Sequence, residues 1–138
     1  GKAGCESRLV PLNEELTDNL SAMAAQVDAN TKCVYICNPN NPTGAVADPA
    51  ALREFVVETA KRCPVMVDEA YLECSDDFET NTMADLVRAG HDVIVVRTFS
   101  KIFGMAGARV GTPTALWPRG LSSPSFLVPW WWLGTLMG

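Results

Sequence analysis

A single histidine, His91, and no Cys-x-x-Cys pair leave this 138-residue sequence without the usual makings of a zinc site. Its five cysteines, Cys5, Cys33, Cys37, Cys63 and Cys74, are odd in number and scattered. A disulfide framework is therefore not expected, and reduced thiols in a cytoplasmic compartment are. Positive charge is scarce: 11 Lys and Arg stand against 16 Asp and Glu, a net charge of −5. That balance argues against a nucleic-acid backbone or an anionic membrane surface as the main partner. No apolar run reaches the roughly 18 residues of a spanning helix, and nothing at the start reads as a signal peptide. No Gly-x-Gly-x-x-Gly turn follows a strand, so a dinucleotide-binding sheet is a weak candidate. Internal repeats and low-complexity tracts are also missing.

Charge is almost absent from the last 27 residues. Residues 112–138 hold one charged side chain, Arg119, with four prolines, three glycines and all four tryptophans. The run Val128-Pro129-Trp130-Trp131-Trp132-Leu133-Gly134 follows neither a helical nor an alternating period. The break predicts a boundary: residues 1–111 form the folded unit, and 112–138 an anomalous tail that is not an independent domain. A tail packed on a partner, a hydrophobic anchor and a shifted reading frame are its three readings.

What is present upstream is a globular chain. With 48% hydrophobic and 20% charged residues, a domain this long buries roughly 68–70% of its unfolded surface. Arg8–Leu12 is a short strand candidate, and Leu16, Leu20, Met23 and Val27 mark one helix face. Cys33–Cys37 is a continuous apolar run that predicts a strand buried on both faces, with Cys33 and Cys37 as packing thiols. Asp48-Pro49 reads as an N-cap followed by proline at the first helical position. The helix that follows carries Leu52, Phe55, Val56 and Ala60 on one side, pairs Glu58 with Arg62, and ends before Pro64. Val65–Val67 is a second strand, Thr82–Ala89 a short helix stopped by Gly90, and Val93–Val96 a third strand. Alternating strands and helices predict an α/β fold: a mostly parallel sheet with helices on both faces, in three αβα layers.

Ligands of open parallel sheets sit beyond the carboxyl ends of the strands. Here those ends run into Asn38-Pro39-Asn40-Asn41-Pro42-Thr43-Gly44, Asp68-Glu69-Ala70-Tyr71 and Thr98-Phe99-Ser100-Lys101. Gly104 to Gly111, containing Arg109, follows. Taken singly, each has an ordinary reading: Asp68 as a turn residue, Lys101 as a surface amine, Asn38–Gly44 as a loop, Arg109 as an ion-pair partner. Together, in this order, they closely resemble the fold-type I pyridoxal-phosphate-dependent aminotransferases of class I and II, especially the histidinol-phosphate branch. The likeness spans roughly residues 5–111 and covers well under half of such an enzyme.

The resemblance implies a cofactor, pyridoxal 5'-phosphate, and a role for each matching residue. Lys101 would hold the cofactor covalently and then act as general base. Asp68 would keep the ring nitrogen protonated. Tyr71 and Asn41 would hydrogen-bond the ring's phenolic oxygen. Thr98, Arg109 and, more weakly, Ser100 would bind the phosphate, for which arginine offers a planar bidentate fork. Lys101, Asp68 and Tyr71 form the expected catalytic group. Asn41, Asp68, Tyr71, Thr98, Ser100, Lys101 and Arg109 form the expected cofactor-binding set, with no metal. Glu69 is given no role, and His91 is read as a loop residue. The implied reaction is transfer of an amino group from an amino acid or amino-alcohol phosphate to a 2-oxo acid, in a homodimer. The phosphate-cradling helix start, the ring-stacking aromatic and the substrate-carboxylate arginine have no match, so the chain reads as a cofactor-binding core inactive by itself. A non-catalytic remnant, or another enzyme of the same fold such as an amino-acid decarboxylase, are the alternatives.

Overall fold

The computed structural model describes residues 4–115 and 128–129. Three parallel strands form its centre: β1 (Val34–Cys37), β2 (Val65–Asp68) and β3 (Val93–Thr98). β4 (Val110–Ala115) adds antiparallel to β3, and the two-residue β5 (Val128–Pro129) adds antiparallel to β4. The spatial order is β1-β2-β3-β4-β5. The α/β class and the mostly parallel sheet expected from the sequence are both present.

Among the described residues α1 (Leu20–Gln26) precedes β1, and α2 (Pro49–Ala60), α3 (Phe78–Asn81) and α4 (Ala84–Arg88) lie in the connections between the parallel strands. α2 begins where its signals put it. The Asp48 side chain accepts the Ala51 N–H at 2.8 Å, and Pro49 follows the cap. Leu52, Phe55 and Val56 are buried on its inner side. They meet Val34, Ile36, Val65, Val67, Val93 and Val95, the alternate residues of the three parallel strands. Met83, Leu86 and Val87 complete this cluster from the α4 side. Each such side chain, fully buried, contributes about 1.5–3 kcal/mol. Gly90, at φ +92°, supplies the left-handed turn that lets the chain leave α4 for β3.

Several expectations give way. Arg8–Leu12 is not a strand: Leu9 and Leu12 are exposed and Pro11 offers no N–H to a ladder. α1 starts at Leu20 rather than Leu16, because Leu16 sits at φ +61° in a turn whose Thr17 N–H the Asn13 side chain accepts. Asn19 then caps α1 by accepting the Ala22 N–H at 3.1 Å. β1 is buried on one face only, with Tyr35 43% exposed. Cys33 is exposed and Cys37 half-buried, so neither thiol is a core residue. Glu58 pairs with Lys61 at 2.6 Å, not with Arg62, whose guanidinium donates to the Val27 carbonyl. The expected helix Thr82–Ala89 shortens to Ala84–Arg88. β4 is a strand the sequence reading lacked; Gly111 and Pro113 make it a weak strand former, and it runs across the composition break. Residues 116–127 and 130–138 of the expected tail, Arg119 and Trp130–Trp132 among them, lie outside the described residues. Among the described residues no helix is long and apolar enough to cross a membrane.

Candidate active site

The carboxyl ends of β1, β2 and β3 stand side by side, because register pairs Cys37 with Asp68 and Asp68 with Val96. Backbone bonds extend the alignment past the strands: Asn38 N–H donates to the Asp68 carbonyl at 3.0 Å, and Glu69 N–H to the Val96 carbonyl at 2.8 Å. Three sequence-distant segments are thereby brought to one edge.

Asp68 ends β2 with its carboxylate between two donors. The Tyr35 hydroxyl donates to Oδ2 at 2.8 Å, and the Ala70 N–H to Oδ1 at 3.0 Å. Each oxygen keeps acceptor capacity for a further partner. Tyr71 follows in the β2 loop, half-buried, and the Lys101 amine lies 4.6 Å from its ring centroid. Such a cation–π contact holds the amine by the ring face. Lys101 is exposed and forms no ion pair among the described residues.

Thr98 closes β3, 4% exposed, and its hydroxyl accepts the Ser100 N–H at 3.0 Å. The Ser100 hydroxyl oxygen is buried without a hydrogen-bond partner. A buried hydroxyl with no partner is costly unless a ligand supplies one. The segment Phe99–Arg109 then folds back, with Phe99 N–H on the Val110 carbonyl and Met105 N–H on the Phe99 carbonyl. Arg109 therefore returns close to the end of β3, since Gly111 pairs with Thr98. It occupies the left-handed region at φ +52°, and its guanidinium is exposed. Asn41 is exposed on the β1 loop. That loop is pinned from α1's side: the Asn40 side chain and the Thr43 hydroxyl both donate to the Leu16 carbonyl. Asp68 and Thr98 thus end β2 and β3, Tyr71, Ser100 and Lys101 follow directly in their loops, and Asn41 and Arg109 stand on the flanking segments.

Two features escaped sequence reasoning. Tyr35 lies on the same sheet face as Asp68, a consequence of alternation that a strand read as buried on both faces conceals. Glu69, given no role, is fully buried. It accepts the Arg97 guanidinium at 2.8 Å, the Met83 N–H at 2.6 Å and the Thr82 hydroxyl at 3.1 Å. Burial pushes its carboxyl up, while those donors pull it down. A lone Arg inside the apolar run Val93–Thr98 was the available signal that a buried acid waits across the strand. Burial also raises Asp18, which accepts the Cys37 N–H at 3.2 Å, and Cys37 itself.

The donor set suits pyridoxal phosphate. An amine without a salt-bridge partner, a carboxylate with spare acceptor capacity, a phenol and an unpartnered hydroxyl are the groups its aldehyde, ring nitrogen, ring oxygen and phosphate require. The clustered side chains fit that cofactor, and no group of His, Cys, Asp and Glu among the described residues could hold a metal ion.

Comparison with known proteins agrees. The family model for aminotransferase class I and II matches residues 2–116. An aromatic amino acid aminotransferase of Mycobacterium sp. (strain KMS) is 43% identical over 113 residues, 82% of this chain and 31% of that protein. A structure from Erwinia carotovora atroseptica, assigned as a histidinol-phosphate aminotransferase, superposes with TM-score 0.73 at 31% identity, covering 82% of this chain and 34% of that one. The histidinol-phosphate aminotransferase of Sinorhizobium meliloti, solved with pyridoxal-5'-phosphate, gives TM-score 0.65 at 28% identity over 77% of this chain and 29% of that one. The chain spans about a third of the length of the relatives it matches.

Proposed function

Since the chain belongs to the class I and II aminotransferases, we propose that it is the cofactor-holding part of an enzyme that moves an amino group from an aromatic amino acid or histidinol phosphate to a 2-oxo acid. The family cofactor is pyridoxal phosphate, which when bound supplies an electron sink for charge developing at the substrate's α-carbon. One wall of the cofactor site falls to this chain's residues. Lys101 would hold the cofactor covalently through its aldehyde carbon, with loss of water, and would move the α-proton as general base. Asp68 would hold the proton on the ring nitrogen. Tyr71 and Asn41 donate to the ring oxygen. Thr98, Ser100 and Arg109 bind the phosphate with two hydroxyls and a bidentate guanidinium.

The observation that carries the reading is the Lys101 amine held 4.6 Å from the Tyr71 ring, one strand from Asp68. The exposed amine is held over the β2 loop by that ring face. Of the two substrate classes, the aromatic one is favoured by the 43% identity to an aromatic amino acid aminotransferase. The test is amino transfer by the enzyme of which this chain is the cofactor-holding part, supplied with pyridoxal phosphate, using tyrosine, phenylalanine and histidinol phosphate as donors and 2-oxoglutarate as acceptor; the 138-residue chain alone is expected to transfer none. Preferred conversion of tyrosine and phenylalanine is expected. Release of carbon dioxide without a new amino acid would contradict it and point to decarboxylation.

A further inference from the structure

The sheet face that bears Asp68 is made by alternate residues of three strands: Tyr35 and Cys37 on β1, Met66 and Asp68 on β2, Ile94, Val96 and Thr98 on β3. Tyr35 pairs in register with Met66, one step below Asp68 on this face. Its phenol is long enough to climb that step, and it donates to Oδ2 of Asp68 at 2.8 Å. The Ala70 N–H holds Oδ1 from the other side. The two anchors differ in kind. Ala70 is two residues along the same chain segment, whereas Tyr35 reaches across from the neighbouring strand.

We infer that Tyr35 is a positioning residue for the site: its hydroxyl locks the orientation of the Asp68 carboxylate that meets the cofactor's ring nitrogen. The inference rests on the assignment of Asp68 to that nitrogen. A carboxylate's terminal torsion is broad and nearly free to rotate. A ring N–H bond, by contrast, needs an oxygen lone pair held near the ring plane and within about 3 Å. Fixing one oxygen from an adjacent strand removes the rotation without using up the acceptor. Tyr35 keeps its proton for this purpose, since burial and the neighbouring Asp68 raise its phenol far above the ordinary range. The ring itself is 43% exposed and outside the core cluster, so the role lies in the hydroxyl rather than in packing.

Tyr35→Phe isolates that hydroxyl. The protein and its variant are loaded with pyridoxal phosphate labelled with 15N at the ring nitrogen, and the linkage site is mapped in parallel by borohydride reduction. In Tyr35→Phe the cofactor should still be trapped on Lys101, with the ring 15N resonance moved toward that of unprotonated pyridine. Its dissociation constant should rise about two- to tenfold, the scale of one ordinary hydrogen bond. Because Tyr35 acts through Asp68, the double variant Tyr35→Phe/Asp68→Asn should show the same resonance as Asp68→Asn alone. An unchanged resonance and affinity in Tyr35→Phe, with cofactor on Lys101, overturns the positioning role and leaves the site standing. A double variant displaced further than Asp68→Asn also overturns it. Cofactor trapped on another lysine in the unsubstituted protein overturns the site assignment and this inference with it.

Discussion

Asp68 serves the fold and, in the proposed function, the chemistry as well. Its Oδ1 accepts the Ala70 N–H and so shapes the turn after β2, while Oδ2 takes the Tyr35 hydroxyl. Asparagine in its place can still accept a backbone N–H, so Asp68→Asn should fold. It cannot hold a proton on a ring nitrogen by charge. In the enzyme that contains this part we expect turnover to fall on the order of a thousandfold or more, about 4 kcal/mol of transition-state stabilisation, with cofactor still bound. Steady-state kcat/KM of the purified variant measures this directly. Near-normal turnover would reduce Asp68 to a turn residue. At this scale the sequence was legible for chemistry carried by short ordered motifs. It was opaque for partners chosen by register: nothing local to Tyr35 says that its hydroxyl meets a carboxylate 33 positions away.

Among the elements, the β2 loop and β3 are joined by the buried Glu69–Arg97 pair. The Arg97 guanidinium spans Glu69, the Thr82 hydroxyl and the face of Phe78, 4.7 Å from its ring centroid. This ties Glu69, one residue from Asp68, to the strand that ends at Thr98. Glu69→Ala would strand a guanidinium 26% exposed and the buried Met83 N–H. A loss of about 3–5 kcal/mol is expected, as for other buried pairs broken from one side. Urea denaturation of the two proteins reads it, and a loss under about 1 kcal/mol would show that water replaces the carboxylate. Elements with complete local signals were legible. α2 had its cap, its proline and its apolar face together, and the three parallel strands had dense β-branched runs. Arg8–Leu12 misled because a short apolar stretch around Pro11 has no partner strand among the described residues, and β4 hid because Gly111 and Pro113 are weak strand formers held by pairing with distant neighbours rather than by a local signal.

For the whole molecule, the parallel order β1-β2-β3 explains why the loops between residues 38 and 109 reach one edge of the sheet. Each crossover returns the chain in the same direction, so three loops emerge at one edge, and the fold-back of residues 99–109 brings Arg109 to it. The fold class was readable at this scale from alternation alone, whereas the meeting of the loops required register. The central claim is that this edge holds pyridoxal phosphate on Lys101, one of four lysines in the sequence with Lys2, Lys32 and Lys61. The most direct measurement is borohydride reduction of the cofactor-loaded protein, followed by proteolysis and mass mapping of the modified peptide. The account predicts stoichiometric label on Lys101 and none in Lys101→Ala. Label on Lys2, Lys32 or Lys61, or label that survives in Lys101→Ala, would contradict it.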